Sequence, residues 1–327
     1  MAQDDALTYL RHGQTPFFRL PVAVGPLPPG TEAAVFGIPS DLGATYQPGA
    51  RLAPWHVRRV SALLQGYHPA HGVDVFADLA AVDGGNVAFP PFSAPAMREA
   101  VEAHVAELAA AGAVPFAVGG DHAVTLPVLR ALARRHGPLA VVHVDAHLDT
   151  SGPEIWGEPF HHGTPFRHAI AEGLVAPGAL FQVGVRGPWG SAAEDAPSRG
   201  HGGRIFPADE VAERGAAAVG AELRRALEGR LTYVSFDVDA LDPAFAPGTG
   251  TPVPGGLTSR EAFALLRALA GTALAGMDVV EVSPALDRGD QTATLAAHLL
   301  LEGLALLALA GGPVERRAPA APQAQPG

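Results

Sequence analysis

Apolar runs of strand length alternate with helix-patterned stretches through most of this chain, and that alternation leaves few folds open. AAVFGIP from Ala33, AVPFAVGG from Ala113, LAVVHV from Leu139, ALFQVGVRG from Ala179, LTYVSF from Leu231 and MDVV from Met277 are short and aliphatic, which predicts buried strands. Between them, MREAVEAHVAELAAAG, LPVLRALARRHG, AAAVGAELRRALEG and SREAFALLRALAG carry helical spacing, and several end in glycine, as helix C-termini do. Strands apolar on both faces must be covered on both faces. The predicted fold class is therefore α/β: three layers, α/β/α, around a mostly parallel central sheet. The 327 residues, 48% of them hydrophobic, suffice for one large core. No repeat or dividing linker is visible, so residues 31–312 read as one domain. Residues 1–30, rich in Pro and Gly around PVAVGPLPPG, predict an extended arm, and the Pro/Ala/Gln-rich 313–327 a disordered tail.

Composition removes several classes of function. There is no cysteine, so disulfides, zinc–thiolate sites and cysteine nucleophiles are excluded, and a reducing cytosol fits. The start, MAQDDALTYLRHGQ, is acidic where a secretory signal is basic and then apolar. The most apolar segment, from Leu295, contains His298 and Glu302 and reads as a buried or interface helix rather than a membrane span. A formal charge of −11 argues against nucleic acid as a partner and is compatible with a cationic ligand.

In open parallel sheets, ligands bind beyond the carboxyl ends of the strands. Here those ends carry Asp121-His122, then Asp145, His147 and Asp149, then Asp237 and Asp239, and finally Glu281. Extended backbone aims alternate side chains to one face, so the spacing of Asp145, His147 and Asp149 predicts convergence on one point. Each group alone has a blander reading; Asp121, for instance, suits a helix N-cap. Together, so many carboxylates at one edge would repel and resist ionisation unless cations neutralised them. An oxygen-rich set with imidazole suits Mn²⁺, with Ni²⁺ or Co²⁺ also possible. Four carboxylates with two imidazoles exceed one ion's needs, and two ions sharing ligands fit better. Such pairs lower the pKa of a shared water, which implies hydrolysis.

GGDHAVTLP (119–127), DAHLDT (145–150) and SFDVDALDPAFAPGTGTPVPGGLTSRE (235–261) closely resemble the signatures of the ureohydrolases, the family of arginase and agmatinase. The resemblance runs from about Val35 to about Leu307 and implies the arginase-like fold. It further implies six ligands of a binuclear manganese centre: His122, Asp145, His147, Asp149, Asp237 and Asp239, with Asp145 and Asp237 bridging. It places Glu281 on the substrate guanidinium, which a carboxylate suits chemically, and His162 of HHGTPF as the proton shuttle, with His161 an adjacent competitor. A guanidino compound would then yield urea and an amine. The loop from Thr150 to Ala169 looks agmatinase-like, which favours agmatine and putrescine. Guanidinobutyrate, guanidinopropionate, other guanidino acids and guanidine itself are the alternatives. Glu154, Trp156 and Glu158 could favour a distal ammonium; Arg51 or Arg186 could favour a carboxylate tail. A non-catalytic partner subunit would have lost a ligand or Glu281, and neither is lost. A single-zinc deacetylase would lack the second set of ligands. The resemblance implies a homotrimer or hexamer; composition, charge and the short apolar segment predict a cytoplasmic protein with no nucleic-acid or membrane partner.

Overall fold

The computed structural model describes residues 15–152, 155–191 and 193–313. Ten strands follow one another along the chain: β1 (Ala33–Gly37), β2 (Tyr67–His68), β3 (Val73–Asp74), β4 (Ala81–Asn86), β5 (Val114–Val118), β6 (Leu139–Val144), β7 (Val175–Val185), β8 (Arg204–Pro207), β9 (Leu231–Asp237) and β10 (Ala273–Val280). Eight form one sheet in the order β4-β1-β5-β10-β9-β6-β7-β8, and every pairing in it is parallel. Only β2 and β3 pair apart, as a small antiparallel hairpin. Helices cover both faces, so the three-layer α/β/α expectation is met. One apolar cluster packs helix Gln291–Leu309 and its neighbours on one side; the other packs helices Ala94–Ala110 and Thr125–His136 on the opposite side.

All six predicted strands are present. The four that were not predicted have weak signals of their own: β4 reads AVDGGN and β8 only RIFP, and these two form the edges of the sheet. Glycine and brevity suit an edge, where a strand packs less of its surface. The expected extended arm is also more compact than its composition suggests. Phe17–Arg19 form a 3-10 turn whose two phenylalanines are fully buried. Asp83 anchors that turn by accepting from Phe17 N and from Arg58. Residues 1–14, 153, 154 and 314–327 of the predicted arm, loop and tail lie outside the described residues.

Helix Gln291–Leu309 is long and apolar enough to cross a bilayer by length and composition, but 78% of its most apolar stretch is buried within the fold. It lies against β10 and the helices Ala53–Ser61 and Ser259–Arg267 as a core element.

Glycine matters most at the end of β5. A Cβ on Gly120 would lie 1.5 Å from the Ser40 carbonyl oxygen, and one on Gly119 would lie 2.6 Å from Val280. This close approach lets Asp121 N donate to Ser40 O and Glu281 N donate to Gly120 O, tying three loops together. Gly120→Ala should therefore destabilise the fold by at least the ~1–3 kcal/mol of ordinary overpacking, because the obstacle is backbone. Thermal unfolding of the metal-free variant measures it.

Candidate metal centre

Parallel pairing in this order makes β5, β10, β9 and β6 consecutive neighbours, so their carboxyl ends lie side by side. These are the four strands whose ends carry His122, Glu281, Asp237 with Asp239, and Asp145 to Asp149. His122 Nδ1 lies 3.0 Å from Asp145 Oδ2, 3.0 Å from Asp149 Oδ2 and 3.2 Å from Asp237 Oδ2. His147 Nδ1 lies 3.3 Å from Asp145 Oδ1 and 3.1 Å from Asp239 Oδ2. Two clusters thus share Asp145, one carboxylate oxygen in each. Asp237 joins the His122 cluster through Oδ2, while its Oδ1 accepts from Asp239 N. All six sequence-predicted ligand residues come together.

How they come together differs from the sequence argument in one respect. Strand β6 ends at Val144, so Asp145, His147 and Asp149 sit on a loop rather than on alternate positions of extended chain. Asp149 has φ +52 and Glu281 φ +63, left-handed conformations that side-chain-bearing residues rarely hold unless their surroundings impose them. Backbone contacts impose them here: Asp149 O accepts from Phe166 N, and Glu281 N donates to Gly120 O. Asp121 takes the blander role, with its side chain accepting from Ala123 N and Gly43 N.

The donor set fits divalent cations. His122 is 1% exposed, and its Nδ1 has no hydrogen-bond partner. Its Nε2 lies 2.8 Å from Ser235 Oγ, which in turn donates to Asp278 Oδ1. That chain makes Nε2 the protonated nitrogen and leaves the Nδ1 lone pair facing three carboxylate oxygens, an arrangement that wants a cation between them. Burial pushes Asp237 well above the usual carboxylate range, helped by Asp239 and Asp145, and it pushes Asp239 up as well. Burial also opposes the charge on Asp145, yet His143, His122 and His147 hold it well below that range. Protein groups alone therefore leave the centre short of positive charge. Two divalent ions would balance the four aspartates and displace their remaining protons.

His143 lies 2.7 Å from Asp145 Oδ2 and is a rival for a ligand role. Its hydrogen bonds decide otherwise. Gln182 Nε2 donates to His143 Nδ1 and to Leu148 O, and Gln182 Oε1 accepts from Ser198. His143 thus accepts at Nδ1 and donates its Nε2–H to Asp145. Strand register explains why: Asp278, Ser235, His143 and Gln182 stand opposite one another across β10, β9, β6 and β7. They form a fully buried polar row beneath the ligands. Tyr233 and Thr125 hydroxyls complete it by donating to Asp278 Oδ2. The sequence reading missed this row, although its signal was legible as one polar residue interrupting each apolar strand.

Above the ligands lies a cleft of about 220 Å³ that Glu281, His162, Trp156 and Glu194 help to line. Glu281 Oε1 accepts from His122 N at 2.9 Å and lies 3.0 Å from His162 Nδ1. No hydrogen bond engages Oε2 among the described residues, which leaves it for a ligand. His162 Nε2 contacts Thr45 Oγ1 at 2.8 Å. Burial opposes a charge on His162, but the Glu281 hydrogen bond and carboxylate prevail and push its pKa up to about 9. His161 differs: its Nδ1 accepts from Gly163 N, and burial lowers its pKa. Of the two histidines, His162 is the one that contacts Glu281 and has a raised pKa.

The specificity residues divide. Trp156 is in the cleft and 63% exposed. Glu158 accepts from Phe160 N and does not line the cleft, and Glu154 lies outside the described residues. Neither predicted arginine lines the cleft. Arg186 spends its guanidinium on backbone carbonyls including those of Asp239, Ala240 and Val253, bracing the Asp239 loop. Arg51 pairs with Asp41. Glu194 and Thr45 line the cleft and were not singled out from the sequence.

Comparison with known proteins converges on one family. The arginase family model matches residues 31–305. Proclavaminate amidinohydrolase of Streptomyces clavuligerus is 43% identical over 300 residues, covering 91% of this chain and 95% of that protein. Its solved structure superposes with a TM-score of 0.86, at 44% identity, over 92% of this chain and 99% of that one. Guanidinopropionase of Pseudomonas aeruginosa is 44% identical over 89% of this chain and 91% of its own length. The mitochondrial agmatinase of Gallus gallus is 38% identical over 90% and 86%. With the metal-ligand clusters and the cleft above them, these likenesses lead to one conclusion: the chain belongs to the arginase family and is an amidinohydrolase of guanidino compounds.

Proposed function

We propose that this chain hydrolyses agmatine to putrescine and urea, with two Mn²⁺ held by His122 and Asp149 on one side, by His147 and Asp239 on the other, and by the shared Asp145 and Asp237. The observation that carries the choice of substrate is the charge of the cleft. Glu194, Asp149 and Glu281 line it, and no arginine does among the described residues. The chain has no lysine anywhere. A guanidinium at Glu281 and a second cation toward Glu194 both suit such walls. His162, the cationic group there, is already paired with Glu281, and a carboxylate tail meets no arginine or lysine.

Bound divalent ions supply an activated water at neutral pH. The protein's own groups do the rest. Glu281, with Oε1 held by His122 N, presents Oε2 to the guanidinium and orients its carbon over the metal clusters. His162, holding a proton between Glu281 and Thr45, delivers it to the departing amine nitrogen. Trp156 lines the same cleft and offers the tail an apolar wall.

A proton donor with a pKa raised to about 9 is loaded below that pH and empties as pH rises through it. Turnover should therefore fall on an alkaline limb, and His162→Asn should lower kcat by about 10²- to 10⁴-fold and abolish the limb. A pH–rate profile of urea release checks both.

A second reading follows from the guanidinopropionase at 44% identity: a guanidino acid as substrate. Urea release from agmatine, 4-guanidinobutyrate, 3-guanidinopropionate and guanidine, assayed side by side with Mn²⁺-loaded protein, decides between them. Agmatine should show the highest kcat/KM, and Glu194→Gln should raise its KM without touching that of guanidine. A preference for either acid would reject agmatine while leaving the reaction class intact. We further propose a cytosolic setting, on the cysteine-free composition, and a homotrimer or hexamer, on the family resemblance.

A further inference from the structure

A second group of metal-ligating side chains lies apart from the cleft. In hairpin β2–β3, Gly72 N donates to His68 O and closes a turn that sets His68 and His71 side by side, their rings 4.6 Å apart. Both face Glu302, the only acidic residue of helix Gln291–Leu309 and 2% exposed. His68 Nε2 lies 3.0 Å from Glu302 Oε1 and His71 Nε2 lies 3.1 Å from Oε2. These spacings match the 3.0–3.3 Å between ligand atoms of the catalytic clusters.

Hydrogen bonding alone does not account for the arrangement. Arg267 already neutralises Glu302, placing Nε at 2.8 Å and Nη2 at 2.6 Å from Oε1. Those two N–H groups fill the lone pairs of that oxygen, so His68 Nε2 approaches an acceptor already in use. Its other nitrogen, Nδ1, is buried with no partner, in a residue 7% exposed. An ion taking the Nε2 lone pair would relieve the crowded contact at Oε1; it leaves Nδ1 as it is.

We propose that His68, His71 and Glu302 form a third divalent-cation site, separate from the catalytic pair, that clamps hairpin β2–β3 to helix Gln291–Leu309. Two imidazoles and one carboxylate select Zn²⁺ over Mn²⁺. Each imidazole gives its Nε2 lone pair to the ion and carries its proton on Nδ1, while Oε2 of Glu302 binds the ion and Oε1 stays with Arg267. The role is structural, since none of these residues lines the cleft.

The test uses Mn²⁺-loaded full-length protein titrated with Zn²⁺ under excess Mn²⁺, with metal counted by mass spectrometry after gel filtration. Wild type should retain a third ion per chain and unfold at a higher temperature with Zn²⁺. His71→Gln should lose both effects while releasing urea at the wild-type rate. Because His71 packs in a tight cluster, Arg267→Gln provides an independent arm. Removing the guanidinium should keep the third ion and tighten it several-fold, since one nearby positive charge is gone. Wild type holding no more than two ions, His71→Gln matching wild type, or Arg267→Gln binding no third ion would each overturn the site.

Discussion

Asp145→Ala should fold but bind Mn²⁺ poorly and release no measurable urea. Asp145 is the one carboxylate with an oxygen in each ligand cluster, so its loss empties both. Loss of a partner behind a ligand costs about 10–100-fold in metal affinity or activity, and loss of the shared ligand should exceed that. Stability offers a second readout. Ions that bind only the folded state raise stability by about 2.7 kcal/mol at a hundredfold excess over Kd, so wild-type protein should gain thermal stability with Mn²⁺ and the variant should not. The metal-free forms should also differ. Asp145 is held below the usual carboxylate range, so its charge stabilises the fold above that range and this contribution fades as pH falls. Asp237 is pushed above it, so ionising it at neutral pH works against the fold. Metal-free Asp145→Ala should thus melt lower than metal-free Asp237→Ala, although both lose the Mn²⁺-dependent gain. Equal melting of the two would refute the assigned charge states.

Glu281→Gln should keep the metals and lose substrate capture. Its Oε1 is tied to His122 N and His162, and its Oε2 is open to the cleft. Truncating one partner of a buried, hydrogen-bonded charge pair costs about 2–5 kcal/mol, so kcat/KM should fall roughly 30- to 4,000-fold. Metal content, counted on the same preparation, should stay at the wild-type value. His162 should also lose its proton more readily, because the carboxylate that raises its pKa is gone, and the alkaline limb should move to lower pH. Unchanged kinetics would remove Glu281 from the substrate site.

The two variants separate what kind of information each residue carried. Asp145, His147, Asp149, Asp237 and Asp239 were legible because acidic groups two apart at the ends of apolar strands have few other uses. Glu281 stood out as a lone acid after an apolar strand, and its position in the family pattern gave it a role. His162 was reached only through resemblance, and spacing could not choose it over His161; the contact to Glu281, which sets the two apart, is tertiary. Arg186 misled as a substrate residue because a sequence cannot show that its guanidinium is consumed by backbone carbonyls. Glu194 was passed over because its loop, GPWGSAAED, has no periodicity to mark which side chain faces inward.

From the residues alone came the layers, the six inner strands, the acidic and imidazole groups at the strand ends and the excess of negative charge, because periodicity and residue chemistry are local properties; the set of six ligands came with the family resemblance. The order of the strands was not local. Chain order places β9 and β10 last, yet both insert between β5 and β6, and only that insertion makes four strand ends into one site. The buried row of Asp278, Ser235, His143 and Gln182 exists for the same reason: lateral register, which arises from pairing between segments up to 92 residues apart, as in His143 and Ser235, sets polar groups in line. Sheet pairing is chosen by the packing of the whole core, and no stretch of the chain encodes it by itself.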